Sequence, residues 1–469
     1  MKRKILIPVL VTVLAVMLAA PLTAGRKHPS KLKYPDLEVK VPEVMDISFP
    51  NGMKGFMIED HEIPTVNIVI LFKTYFPEKE KFGLNELARW VMRNGGSESW
   101  PADKLNDELE FLPAQVEFFG GNLSTSVFVN CMKKDLENVL GILADVVTNP
   151  SFPEEKIQKK KDDMLEDIRR KNDQPGDIVN REFNKLLYGD HPYSWETGEA
   201  SVSSVTRDDI VSFHDTWFVP NNAIIGISGD VTKPEIEKLI SEAFTGWEQG
   251  EVNIPKVPET GGSPDPTVNY IYKDISQAYI NLGHLGINSK NPDKCAVTIM
   301  NFILGGGSFT SWITTEVREK RGLAYSARSR YSSDPFAVGV FSAFAQTSAG
   351  EYSRALQVIL DQIERMKTDG PTEEELRKAV DSFLNSQIFD YDSKAGMVRR
   401  LINLQFQGRP LNTPEEDMAR YAALTVEDIK AAALKYLDMD KLTILVVGDK
   451  DQFDRPLSEF GEVNEIELK

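Results

Sequence analysis

The sequence of 469 residues contains few of the side chains that build metal clusters or disulfide scaffolds. It has two cysteines, Cys131 and Cys295, and five histidines. Two cysteines exclude a disulfide-rich scaffold and a cysteine-based metal cluster. No two histidines fall at the spacing of metal ligands on one helix. Spacing alone leaves open whether the two thiols are free or joined across the chain.

Positive charge is also in short supply. Lysine and arginine number 54 against 71 aspartates and glutamates, which gives a net charge of −17. A nucleic-acid binder needs a basic face to neutralise phosphates, so we exclude nucleic acid as the partner. Hydrophobic residues make up 41% and charged residues 27%, which is typical of a globular protein with a buried core.

A long apolar run occurs only at the N-terminus, in residues 5–20, and it follows the bases Lys2, Arg3 and Lys4. The run is shorter than the roughly 20 residues of a membrane-spanning helix. Small residues follow it, which predicts a secretory signal over residues 1–24, cleaved near Ala20 or Ala24. An uncleaved anchor is the alternative. We expect a mature chain of charge −20, with no membrane span, that is exported and periplasmic if the cell has two membranes.

The sequence contains an internal repeat. Three short matches share an offset of 219 residues: 153–155 with 372–374, 206–210 with 425–429, and 229–230 with 448–449. Such a period is too long for a solenoid, so it predicts two homologous domains. Residues 250–266 are rich in proline and glycine. We therefore place the domains at 35–250 and 265–469, with a linker at 251–264.

Each half mixes strands and helices without a regular strand–helix–strand alternation. Apolar runs predict buried strands at 66–72, 223–228 and 443–447. Amphipathic patterns predict helices at 135–147 and 154–170. The predicted fold class is α+β: in each domain, helices pack on one face of a largely antiparallel sheet.

The most specific strings lie in the second half: LGGGSF at 304–309 and EVREKRGLAYS at 316–326. With FVPNNAIIGISGDV at 218–231 and GGNLST at 120–125, they resemble peptidase family M16, the pitrilysin and mitochondrial-processing-peptidase group. The resemblance covers nearly the whole mature chain. It implies a half-shell of two similar domains that closes with a second half-shell around a peptide.

In this family, one half-shell carries the zinc motif His-x-x-Glu-His on a helix and a distal glutamate on the next long helix. The other supplies an arginine and a tyrosine seven residues apart, and Arg318 and Tyr325 match that spacing. Peptide hydrolysis places negative charge on the carbonyl oxygen, which N–H and O–H donors stabilise in the transition state. The alternative is a surface arginine beside an ordinary aromatic side chain.

The first half departs from the family at the zinc motif. The two histidine positions fall on Glu86 and Trp90, the glutamate position on Arg89, and the distal glutamate on Asp167. Tryptophan cannot coordinate zinc, and arginine, a permanent cation, cannot act as a general base. We expect no metal on this chain and an ion-pair cluster of Glu86, Asp167 and the Arg89 guanidinium. The lysine run 159–161 predicts a solvated helix face.

The resemblance also implies substrate contacts in two segments. The segment at 120–125 would begin an exposed edge strand that pairs with substrate backbone, although a plain hairpin turn fits the sequence equally well. The triple glycine would give backbone flexibility beside the cleft. The residues concerned are Gly121, Asn122, Ser124, Thr125, Gly305, Gly306 and Gly307.

These features favour the zinc-free partner of a two-chain peptidase, which donates Arg318 and Tyr325 to the site of an exported homologue carrying His-x-x-Glu-His. Zinc would be bound by that homologue, and the substrate would be a peptide or an unfolded protein segment. The first alternative is a non-catalytic peptide-binding or scaffold protein of the same fold. The second, a self-sufficient hydrolase using Glu86 and Asp167, lacks a general base.

Overall fold

The computed structural model describes residues 42–388, 391 and 393–468. The predicted export signal lies outside this part of the chain. The described residues all belong to one compact unit. Among the described residues, no helix combines the length and the apolarity needed to cross a bilayer.

The first half forms a six-stranded sheet in the order β1-β2-β6-β3-β5-β4. Its strands are β1 (Met45–Ser48), β2 (Lys54–Glu59), β3 (Thr65–Lys73), β4 (Gln115–Gly120), β5 (Ser124–Met132) and β6 (Ala223–Gly229). Only the β2–β6 pair in this sheet is parallel. The helices of this half are α1 (Leu84–Gly95), α2 (Ala102–Phe111), α3 (Leu136–Thr148), α4 (Glu154–Arg170), α5 (Pro175–Tyr188), α6 (Glu199–Ser204), α7 (Arg207–Trp217) and α8 (Lys233–Ala243).

The second half repeats this plan. Its strands are β7 (Thr267–Tyr272), β8 (Gln277–Leu285), β9 (Ile287–Asn288), β10 (Ala324–Tyr331), β11 (Ser333–Asp334), β12 (Val340–Ser348), β13 (Thr443–Gly448) and β14 (Val463–Glu465). Six of them form a sheet in the order β10-β12-β8-β13-β7-β14, while β9 and β11 pair separately. The helices are α9 (Lys294–Asn301), α10 (Trp312–Thr314), α11 (Tyr352–Thr368), α12 (Glu373–Ile388), α13 (Lys394–Phe406), α14 (Thr413–Ala422) and α15 (Val426–Tyr436).

The sheets correspond in five of their six strands when the second order is read backwards, with the parallel pair β7–β13 in the place of β2–β6. The strands outside these pairs differ, because β1 precedes β2 and is antiparallel to it, whereas β14 follows β13 and is parallel to β7. The sequence repeat has a local physical cause at one of its matches. Thr206 and Thr425 each cap a helix, accepting a hydrogen bond from the backbone N–H three residues on, at 3.2 Å in both halves. The predicted α+β class with two largely antiparallel sheets is confirmed.

Helices cover both faces of each sheet, whereas the sequence predicts helices on one face. The inner face of each sheet packs against helices of its own half. The outer face of the second sheet packs against α5, through Ile178 and Phe183. The outer face of the first sheet packs against α13, through Val398 and Ile402. The two halves therefore exchange one helix each.

Candidate functional site

Helix α1 carries the degenerate zinc positions. Glu86 is exposed, and one of its carboxylate oxygens accepts a hydrogen bond from Nζ of Lys160 on α4 at 2.7 Å. The Lys160 side chain is only 12% exposed, so the lysine run is not the uniformly solvated face that the sequence predicts. A cation therefore lies against the first histidine position of the family motif, where a metal would need a lone-pair donor.

The arginine at the general-base position is a structural residue. Arg89 is 9% exposed, and its Nη1 donates to the carbonyl oxygen of Gly121 at 2.7 Å. Burial lowers the pKa of its guanidinium. One turn earlier on α1, Asn85 Nδ2 donates to the carbonyl oxygen of Asn122 at 3.0 Å. The two side chains tie α1 to the turn between β4 and β5.

The other two motif positions do not approach a ligand set. Trp90 is partly buried and packs against the hydrophobic core of the first half. Asp167 is exposed and, in the described chain, makes no ion pair. The predicted cluster of Glu86, Asp167 and Arg89 is therefore wrong in its members, because Lys160 takes the place next to Glu86 and Arg89 faces the hairpin.

The residues at these positions do not fit a zinc ion. A tryptophan, a buried guanidinium and an ion-paired carboxylate offer no set of three or four lone-pair donors. Over residues 42–388, 391 and 393–468, no group of three or more histidine, cysteine, aspartate or glutamate side chains could hold a metal ion.

The segment 120–125 is a hairpin turn, and the edge strand of the first sheet is β4, which precedes it. Gly121 is exposed, whereas Asn122 and Ser124 are half-buried. Thr125 is fully buried on β5, an interior strand between β3 and β4. The prediction that this segment begins an exposed edge strand is therefore wrong, because the strand that it begins, β5, is interior and the edge strand is the preceding one, β4.

Arg318 and Tyr325 lie together at the edge of the second sheet. Tyr325 is 81% exposed on β10, the edge strand, at a break in register between its neighbours. Such a bulge turns a side chain away from the regular alternation of the strand. The Arg318 guanidinium carbon is 4.6 Å from the centre of the Tyr325 ring and 4.8 Å from that of Phe309. The two rings hold the guanidinium by cation–π contacts.

The guanidinium of Arg318 keeps its hydrogen-bonding capacity. The residue lies on a π-helical turn, Thr315–Lys320, which continues α10. The carboxylate on the same turn, Glu316, accepts from Lys320 at 2.7 Å and from Arg321. Arg318 itself makes no ion pair with any carboxylate of the described chain. Its five N–H donors are therefore available to a group outside this chain.

The triple glycine brings a helix end close to β10. It closes a π-helical turn, Phe302–Gly306, that continues α9. A Cβ on Gly305 would lie 2.3 Å from the backbone nitrogen of Ser329, so a larger residue has no room. Gly306 is exposed, and Gly307 is half-buried. At Gly305, close packing rather than flexibility explains the glycine.

Sequence reasoning missed two residues here, Lys160 and Phe309. The signal for Phe309 was its place in the string that also holds the triple glycine. No sequence signal distinguished Lys160, because the three lysines of the run are expected to be solvated alike unless the rotation of the helix is known.

The fold and the two groups of residues define a class: a duplicated α+β fold with an arginine–tyrosine pair at a sheet edge and a zinc-motif helix whose side chains do not fit zinc. Two family descriptions match the chain, "Insulinase (Peptidase family M16)" over residues 78–200 and "Peptidase M16 inactive domain" over residues 204–383. The chain belongs to peptidase family M16.

Relatives and solved structures are similar over most of the chain. An uncharacterized zinc protease of Mycobacterium leprae is 28% identical over 337 residues, which cover 70% of this chain and 75% of the relative. The crystal structure of a peptidase M16 inactive domain from Pseudomonas fluorescens superposes with a TM-score of 0.79 at 27% identity, covering 87% of this chain and 98% of that one. The first half of the periplasmic protease PqqL from Escherichia coli shares the fold, with a TM-score of 0.71 at 14% identity over 90% and 95% of the two chains.

Proposed function

We propose that this chain is the zinc-free half of a two-chain M16 peptidase, and that it donates Arg318 and Tyr325 to a site completed by a second chain. The observation that carries the proposal is the pair itself. An arginine that pairs with no carboxylate of the described residues is oriented between two rings, beside a tyrosine that is 81% exposed at an open sheet edge. An isolated fold gains little from exposing an aromatic ring in this way.

The proposed chemistry follows from the two donors. During hydrolysis the carbonyl oxygen of the cleaved peptide gains negative charge, and donors already aimed at it stabilise the transition state. The Arg318 fork supplies a fixed positive charge, and the Tyr325 hydroxyl supplies a neutral donor. The described residues at the family's zinc positions offer no ligand set, so in this proposal the hydrolytic centre belongs to the partner, an exported homologue with His-x-x-Glu-His.

Kinetics of the reconstituted pair test the proposal. Tyr325→Phe removes only the hydroxyl and keeps the ring that stacks on Arg318, so the fold and the assembly should survive. We expect kcat to fall by about 10²–10³, with a smaller change in KM. Arg318→Lys keeps a charge but loses the planar fork, and it should also be impaired. If both donors act on one oxygen, the double variant should cost less than the sum of the single changes.

Tyr272→Phe is the matched control, because Tyr272 is also an exposed tyrosine of the second sheet, at 61%, but lies on β7. Complex formation is measured in parallel for every variant. Full activity of an intact complex containing Tyr325→Phe and Arg318→Ala would refute the donation. It would favour the second candidate, a scaffold in which the stack of Arg318 between two rings is purely structural.

The partner is tested separately. We expect co-purification or cross-linking from the native host to recover a heterodimer, with an interface above the roughly 1,200 Å² of specific contacts. Both chains would be exported, and they would meet in the periplasm of a two-membrane cell. Recovery of only monomer or self-dimer, with the homologue present and unbound, would contradict the assembly.

A further inference from the structure

A polar cavity lies between α5 and the outer face of the second sheet, and neither Arg318 nor Tyr325 lines it. Its volume is about 590 Å³. This size falls within the range of about 300–1,000 Å³ that is typical of ligand pockets. Its polar lining includes Arg328, Arg330, Asn281, Asn180, Asn184 and Ser342.

The strand register explains why these side chains meet. Arg328 lies opposite Phe344, which lies opposite Asn281. Arg330 lies opposite Ser342 in the next row of the same face. Residues paired across neighbouring strands share a face, so the two arginines and the asparagine point to the side that α5 covers. The α5 side chains Asn180 and Asn184 complete the wall.

The cavity carries an excess of positive charge. Neither Arg328 nor Arg330 makes an ion pair with a described carboxylate, although the chain as a whole has a net charge of −17. The Arg328 guanidinium is 5.1 Å from the centre of the Phe344 ring, which holds it in place. Two guanidinium forks on one wall are suited to a carboxylate, which each fork can bind through two parallel hydrogen bonds.

One carboxylate, Asp334, also lines the cavity, and its hydrogen bonds go to groups other than the two arginines. Its Oδ1 accepts from the Tyr193 hydroxyl at 2.7 Å. The same oxygen accepts from the backbone N–H groups of Phe336 at 2.8 Å and Ala337 at 3.0 Å. Two arginines against one aspartate leave the cavity with a net positive charge.

The amide of Asn281 also lies at the cavity wall. Asn281 is 5% exposed, and its Oδ1 has no hydrogen-bond donor in the described chain. The protein covers that oxygen almost completely, so a ligand in the cavity cannot reach it. The cavity therefore offers a ligand the N–H donors of its two arginines, which suit the carboxylate of an acidic peptide residue.

We propose that this cavity binds an acidic residue of a peptide, with its carboxylate on Arg328 and Arg330. The inference deepens the proposed function and rests on it in one respect, that the chain holds a peptide. It adds a preference for acidic segments, set by a site in this chain alone.

The test is calorimetric titration of the isolated full chain with blocked tripeptides. Acetyl-Ala-Glu-Ala-amide should bind, and acetyl-Ala-Gln-Ala-amide should bind at least about tenfold more weakly, because it lacks the charge-assisted hydrogen bonds. Affinity for the glutamate peptide should fall as salt is raised. Inorganic phosphate is titrated in parallel, since a phosphate could also bind two guanidinium groups.

Variants localise the site. Arg328→Gln and Arg330→Gln should each weaken the glutamate peptide about tenfold. Arg377→Gln is the matched control, because Arg377 is an exposed arginine of α12 outside the cavity.

Equal binding of the two tripeptides would overturn the proposal. So would binding of phosphate without binding of the glutamate peptide, or an equal loss in Arg377→Gln. The titration uses neither the partner nor any hydrolysis. A failure here therefore leaves the kinetics of Tyr325→Phe unaffected, and a failure there leaves this binding measurable.

Discussion

Replacing Arg89 by methionine should loosen the turn between β4 and β5 without unfolding the chain. Methionine keeps the apolar stem that packs in the first half but removes the guanidinium that donates to Gly121 O at 2.7 Å. A hydrogen bond from a charged group stabilises a protein by about 1.5–3 kcal/mol. Gly121 is exposed, so water replaces part of that bond, and we expect about 1.5 kcal/mol.

Hydrogen exchange of the peptide that covers 118–125 is the assay. The Gly121 N–H donates to Ser124 O at 3.0 Å, so opening of the turn exposes it. A loss of about 1.5 kcal/mol corresponds to roughly tenfold faster exchange. Asn85→Ala removes the second tie to this turn and should act in the same direction.

Arg93→Met is the matched control, since Arg93 donates from the same helix to Val116 O, near the other end of β4. It should change exchange near Val116 and leave the turn protected. Unchanged exchange in Arg89→Met, or equal effects of both variants at the turn, would refute the structural role of Arg89. The same contact predicts that Arg89→Glu is worse than Arg89→Met, because a carboxylate would face a carbonyl oxygen.

Three further outcomes follow from the described contacts. The purified mature chain should hold no stoichiometric zinc after dialysis; metal analysis showing one zinc per chain, lost on changing Glu86 and Asp167 to alanine, would contradict this. Burial lowers the pKa of His284 below 6.5, so the unfolded chain takes up the proton at a higher pH than the folded chain does, and stability should fall as pH drops below about 6.5. Urea unfolding at pH 7 and 5.5 should show this loss of stability. The same loss in His284→Gln would count against the assignment to His284. Burial raises the pKa of the free Cys131 thiol to about 12, so iodoacetamide at pH 8 should label it in urea but not in the native chain, and rapid native labelling would disprove its burial.

The regular elements could be predicted from the sequence because each has a local cause. The helix predicted at 154–170 has those bounds, and the three predicted strands lie within β3, β6 and β13. The repeat at 219 residues became two corresponding sheets. The Arg318–Tyr325 pair was also brought together, because the intervening turn and strand start are short.

The remaining features of the fold and the site depend on tertiary contacts that the sequence pattern does not specify. Every residue of β6 is buried, which is typical of a strand covered on both faces, yet the pattern does not say which helix covers the second face. The partner of Glu86 depends on how α4 is rotated against α1, and counting residues pointed to Asp167 rather than Lys160. The edge strand was predicted to begin at 120–125, whereas it is β4, because residues that form a turn and residues that begin a strand can have the same composition.

The exchange of α5 and α13 makes the chain resemble a domain-swapped dimer whose two protomers have been fused. Gly226 marks how closely one exchanged helix docks, since a Cβ there would lie 2.2 Å from Val398. Residues 251–264, the predicted linker, contain neither helix nor strand, so a nick there would cut the chain without separating the halves. We expect that neither half folds alone, because each would lack the helix that covers the outer face of its own sheet.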